Sequence, residues 1–214
     1  MSTKTMEPWE AWLHQQRLNN RMHVKYEDLD TLAGWNADNK SVRRHDDKFF
    51  SIVGVHVEDG ERSWDQPMIE EGSEGVAILL TDGMNFLLQA VAEPGNQQQV
   101  RAATLLRPTL QSSQSHWKLA QPQRAELASE TNFTLASVLA QQDGSRFFGK
   151  QVRLEIDLAG QLEIWVAEHG GLKPNERIFT GRELAQAIFY GECNQFLREL
   201  AGVYWALGFG QQRR

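Results

Sequence analysis

Apolar and polar positions alternate in two distinct rhythms along this chain. From Pro8 to about residue 20, Trp9, Trp12, Leu13 and Leu18 recur at helical spacing, with the proline placed for a first turn. A second short helix is expected over residues 26–33, ending at Gly34, followed by a polar loop through Asp47. Residues 49–57 then read as a strand centred on Ile52, Val53 and Val55. Two apolar runs, 76–80 and 85–92, flank Thr81-Asp82-Gly83 and predict a β-hairpin. Residues 100–106 continue as a strand that stops at Pro108, and polar, glutamine-rich sequence over 111–123 reads as a long loop. A helix is expected around 137–142, ending at Gly144, and a second hairpin over 152–158 and 162–167 around Ala159-Gly160. Thr180-Gly181-Arg182-Glu183 forms a capping box that opens one long helix through Leu184, Ala187, Ile188, Leu197, Leu200 and Tyr204 to Gly208. Helices, mostly antiparallel strands, then a closing helix describe an α+β fold with no internal repeat.

The length of 214 residues suits one domain, here a helical lead-in over 1–47 and a core over 48–214. A net charge of -6 removes the electrostatic footprint of a nucleic-acid binder, and Lys40, Arg43 and Arg44 are diluted at once by Asp46 and Asp47. Cys193 is the one cysteine, so no disulfide forms within the chain and a reducing compartment fits. No apolar run is long enough for a membrane span and no signal peptide opens the chain, so a soluble cytoplasmic protein is expected. The six histidines show no metal-ligand spacing, and no Walker loop, dinucleotide fingerprint or nucleophile elbow occurs. Glu70-Glu71 reads as a solvated pair rather than an acid/base couple. The seven tryptophans read mainly as core or interface residues, with Trp64 as the candidate ligand platform.

Three clusters hold a proline beside polar side chains that can bind in a set direction: Arg62-Ser63-Trp64-Asp65-Gln66-Pro67, residues 89–96 ending in Glu93-Pro94-Gly95-Asn96, and Arg107-Pro108-Thr109-Leu110-Gln111. Read alone, each is also an ordinary strand-end turn with capping groups. In this order, after Phe49-Phe50 opening a strand, they resemble the nucleotide-hexose 2,3-dehydratases of deoxysugar biosynthesis. The lead-in through Leu32-Ala33-Gly34-Trp35 and the pair Asn194 and Arg198 extend the likeness over nearly the whole chain.

The resemblance implies a Nudix-like mixed sheet flanked by helices, without a Nudix box and without a redox cofactor. It implies a thymidine-diphosphate 4-keto-6-deoxyhexose as substrate, from which water is lost across C2 and C3. The ketone acidifies the C3 proton, so such a site needs a base, an acid and donors for an enolate oxygen. By matching position, Glu93 is the candidate for proton transfer. Trp64, Gln66, Gln89, Asn96, Thr109 and Gln111 are candidates for base, sugar or phosphate oxygens, and Arg146, Lys150, Arg153 and Arg198 for the diphosphate. No metal ligand and no cofactor are implied. The family's full enzymes carry two tandem modules, so a homodimer is expected to rebuild that arrangement here. Two stretches depart from the family pattern: Gln141-Gln142-Asp143-Gly144-Ser145-Arg146-Phe147 and Val152-Arg153-Leu154. They leave a second reading open, a non-catalytic homodimer that holds a peptide or biosynthetic intermediate for partner enzymes, for example by strand addition at a sheet edge.

Overall fold

Gly75–Thr81 is apolar up to its final threonine and buried at every position, as a strand covered on both faces must be. It is β5, the middle of a seven-stranded sheet in a computed structural model that describes residues 6–46, 49–71, 74–98, 101–113 and 133–209. Four strands precede it: β1 (Trp35–Ala37), β2 (Ser41–Arg44), β3 (Ser51–Asp59) and β4 (Arg62–Glu70), which form a separate antiparallel sheet in that order. The larger sheet runs β11 (Glu176–Thr180), β6 (Asn85–Gln98), β5, β10 (Gln151–Leu158) and β9 (Phe133–Gln141), with β7 (Arg101–Arg107) added to β6 and β8 (Leu110–Ser113) to β5. β5 and β10 are parallel and the other named pairs antiparallel, so the sheet is mixed.

Helices α1 (Pro8–Asn19), α3 (Gly181–Phe189) and α4 (Gln195–Ala206) cover one face. Trp9, Leu13, Leu184, Leu197 and Tyr204 pack there against Phe86, Leu88, Leu154, Ile156 and Phe179. On the opposite face α2 (Leu162–Glu168) lays Leu162, Trp165 and Val166 over Leu80 and Leu87. The expected α+β architecture, a mixed sheet flanked by helices, is therefore present.

Several expected elements differ. Residues 162–168 are helical, because Leu162, Trp165 and Val166 fall at i, i+3 and i+4 and share one buried face, while Gly160 takes φ 47° to turn the chain out of β10. Residues 137–141 belong to β9 rather than to a helix, since the backbone there is hydrogen-bonded to β10. The expected closing helix is two helices. Gly191 takes φ 74°, and Asn194 starts α4 by accepting a 3.0 Å hydrogen bond from Leu197 N. In the lead-in, the second helix is only a 3₁₀ turn, Leu29–Thr31, and β1 and β2 follow it. The polar stretch after Gln111 begins as β8, and the rest of that loop, with Trp117, lies outside the described residues.

Candidate functional site

β5 and β6 begin as the expected hairpin but pair only at Leu80–Leu87 and Thr81–Phe86 before they diverge. β7 runs into the gap along β6, turns at Pro108-Thr109, and returns along β5 as β8. Thr109 sits at the split, fully buried. Its hydroxyl donates to Leu87 O at 2.5 Å and accepts from Leu80 N at 3.0 Å. Thr109 thus satisfies two backbone groups at the divergence, a structural duty rather than a ligand contact.

Beyond the split, the face that carries Leu87 becomes polar. Gln89 is opposite both Arg107 on β7 and Glu176 on β11, so three polar side chains meet in one row across the sheet. Gln89 Oε1 accepts from Arg107 Nε and Nη2 at 3.1 and 2.9 Å, and Gln89 Nε2 donates to Glu176 Oε1 at 3.1 Å. Glu176 Oε2 accepts from Lys173 N at 3.0 Å, with Lys173 Nζ 4.0 Å from Oε1. Burial lowers the Arg107 guanidinium below the ordinary arginine range, while the nearby Glu93 carboxylate acts the other way. Arginine starts so high that the group stays cationic.

Glu93, Pro94, Gly95 and Asn96 form an excursion within β6, where the register with β7 shifts between Ala92 and Gln97. Asn96 Nδ2 donates to Glu93 Oε2 at 3.1 Å, so one carboxylate oxygen is held in place. Glu93 and Asn96 are both half-buried. Glu93, Asn96, Arg107 and Gln89 therefore form one constellation: a held carboxylate within electrostatic reach of a desolvated cation.

The other candidates stand apart. Gln111 and Arg198 belong to the helix-covered side, where Gln111 Oε1 accepts from Asn194 Nδ2 at 2.7 Å and Arg198 is exposed on α4. Trp64 and Gln66 lie on the small sheet, joined by a 2.9 Å bond from Trp64 Nε1 to Gln66 Oε1. Gln66 also lines a cleft of about 370 Å³ with Asp38, Lys40, Val53 and Pro67. Lys150 is buried in an ion pair with Glu71 at 3.0 Å. Arg146 is exposed on the loop before β10, 3.5 Å from Asp143, and its carbonyl accepts from Ile69 N. Arg153 Nε lies 3.2 Å from Glu155 Oε1 but outside hydrogen-bonding geometry. Arg107 belongs to a motif cluster singled out in the sequence, yet only the β6–β7 register discloses its place. Nothing in the sequence signals Glu176. Among the described residues no group of three His, Cys, Asp or Glu side chains could hold a metal ion, and no helix is long and apolar enough to cross a membrane.

The family model for NDP-hexose 2,3-dehydratase matches residues 6–167, about three quarters of the chain. The chain belongs to that family. A curated family relative, the dTDP-4-dehydro-6-deoxy-α-D-glucopyranose 2,3-dehydratase of Amycolatopsis orientalis, is 30% identical over 177 residues. The alignment covers 72% of this chain and 36% of the relative, so the chain spans about a third of that protein's length. A solved structure of an ADP compounds hydrolase matches 85% of this chain and 99% of its own, at 13% identity and a TM-score of 0.49. The family match contains Glu93, Asn96, Gln89 and Arg107 and ends before Glu176.

Proposed function

We propose that this protein eliminates water across C2 and C3 of a thymidine-diphosphate 4-keto-6-deoxyhexose. The observation that carries the reading is the Arg107 guanidinium held by Gln89, with the Asn96-held Glu93 carboxylate in its electrostatic reach, inside the segment that matches the dehydratase family. Glu93 takes the C3 proton, which the 4-ketone makes acidic, and an acid protonates the departing C2 hydroxyl. Water leaves, and the resulting enol settles as the 3,4-diketo sugar. Asn96 holds the Glu93 carboxylate for this transfer. Arg146 and Arg153, partly or fully exposed, are proposed for the diphosphate, and Trp64 and Gln66 for base or sugar. A cytoplasmic location belongs to the same reading.

Millimolar thymidine diphosphate raises the melting temperature on this reading. Glu93→Gln removes turnover of the 4-keto sugar nucleotide by about 10²-fold or more while keeping that thermal shift. Absence of any shift with the wild-type protein sinks the dehydratase reading. A shift produced by an extended peptide instead supports the binding-module alternative, for which β9, a nine-residue edge strand without a charged side chain, is the natural docking edge. A homodimer is also part of the proposal. Exposed Met84, Leu207 and Phe209 favour one, and the native mass by light scattering decides it.

A further inference from the structure

We propose that Arg107 receives the negative charge that develops on the sugar's C4 oxygen as the C3 proton leaves, with Gln89 and Glu176 as positioning residues behind it. The assignment rests on the dehydration reading above.

A cation taken out of water ordinarily sits against a carboxylate, because burial is costly without a counter-charge. Arg107 does not. Its direct partner is the neutral amide of Gln89, which accepts two guanidinium bonds on a single oxygen. A carboxylate comes one step further back: Glu176 accepts from the amide's other end. The order of the chain has one solution. Arginine only donates, so the amide oxygen must face Arg107, which turns the amide nitrogen to Glu176. Gln89 and Glu176 are both buried, which fixes the fork without neutralising it by contact.

Nε and Nη2 are committed to Gln89, while Nη1 bonds to no described protein group. Arg107 is only partly buried, so part of its side chain stays accessible. The Glu93 carboxylate bears electrostatically on this guanidinium. When the base removes the C3 proton, electron density moves onto the adjacent C4 oxygen, and a fixed, partly desolvated donor there stabilises the enolate more than the starting ketone. Nothing is oxidised or reduced: the C–H pair becomes the enolate pair, which then expels the C2 hydroxyl, and that group leaves as water on taking a proton from the acid.

The test uses the full chain, the 4-keto sugar nucleotide as substrate and thymidine diphosphate as a binding probe. Arg107→Gln is expected to lower kcat by about 10²–10³-fold, with KM and the thymidine-diphosphate Kd within about threefold of wild type. Arg107→Lys retains charge without the fork and is expected to fall between the two. It also keeps the test alive should Arg107→Gln fail to fold. A kcat near wild type in either variant overturns the assignment. So does a parallel loss of thymidine-diphosphate affinity, which would make Arg107 a diphosphate ligand. A wild-type protein that neither binds the nucleotide nor turns over the sugar removes the dehydration reading itself, whereas an active wild type with an equally active Arg107→Gln removes only this inference.

Discussion

The two faces of the large sheet are built from the same strands and answer to different demands. On β6, Phe86, Leu88 and Ala90 enter the core beneath α1, α3 and α4, whereas Leu87 and Gln89 point the other way. Gln89 is as inaccessible as Leu88, at 0% exposure for both, yet one is held by packing and the other by a charge-linked row. Burial alone therefore does not distinguish the faces; the way polar groups are satisfied does. The face beneath α1, α3 and α4 answers mainly to volume. The opposite face carries charge at fixed positions, which is what proton transfer requires.

The largest effect should come from the packed face. Phe86 is buried against Tyr204, their rings 5.0 Å apart and nearly perpendicular. Phe86→Ala should cost about 3–5 kcal/mol of unfolding free energy, measured by denaturant titration, because the helices α3 and α4 cannot fully collapse onto the gap. Turnover per folded molecule should be unchanged. A drop in kcat equal to that of Glu93→Gln would erase the division of labour between the faces.

The seam between them comes next. Thr109 bridges Leu80 N–H and Leu87 C=O where β5 and β6 part. Thr109→Val keeps the shape and deletes both bonds, and should cost about 1–3 kcal/mol, with Thr109→Ser recovering most of it. If valine is neutral, water or a shifted backbone must satisfy the split and Thr109 is free for another role.

What the sequence disclosed follows the same division. The hairpin of β5 and β6 was legible because Asp82-Gly83 punctuates two apolar runs. The capping box at Thr180 was legible because its chemistry is local, and the structure makes it in full, with Glu183 N donating to Thr180 Oγ1 at 3.2 Å and Thr180 N to Glu183 Oε2 at 2.9 Å. Elements decided by tertiary pairing were not. Residues 133–141 are nearly neutral in pattern, and only the ladder with β10 makes them a strand. Leu162, Trp165 and Val166 fit a period of two or of 3.6 over so short a run, and the buried face under α2 decides for the helix. The site divides likewise. The cluster containing Glu93 and Asn96 is a continuous motif, so it can be read directly. The meeting of Gln89 with Glu176 spans 87 residues and exists only through the β6–β11 register. Gln111 shares a motif cluster with Arg107, yet its pairing with Ala77 turns it to the helix side, where it meets Asn194.

The smallest effect, and the one that probes how charge is tolerated where no catalytic duty is assigned, concerns Asp157 on β10. It is buried at 3% exposure, with Oδ1 lacking a hydrogen-bond partner. Burial raises its pKa, and Glu155 raises it further, against the opposing influence of a Thr134 hydrogen bond and of Arg153. The folded protein thus holds this proton more tightly than the unfolded chain, whose carboxyl titrates near 3.8. Stability from this group is then fully present below that value and declines as pH rises through the folded pKa, leaving a destabilising carboxylate at neutral pH. Asp157→Asn removes the charge and keeps a partner for Thr134. It should raise Tm at pH 7 by roughly 2–4 °C, and the gain should shrink toward zero below about pH 4. A lower Tm at pH 7 would mean that Arg153, rather than burial, governs the carboxylate. The polar side of β10 would then be a stabilising charge pair, and the row through Gln89 would no longer be distinctive in holding charge at the sheet surface.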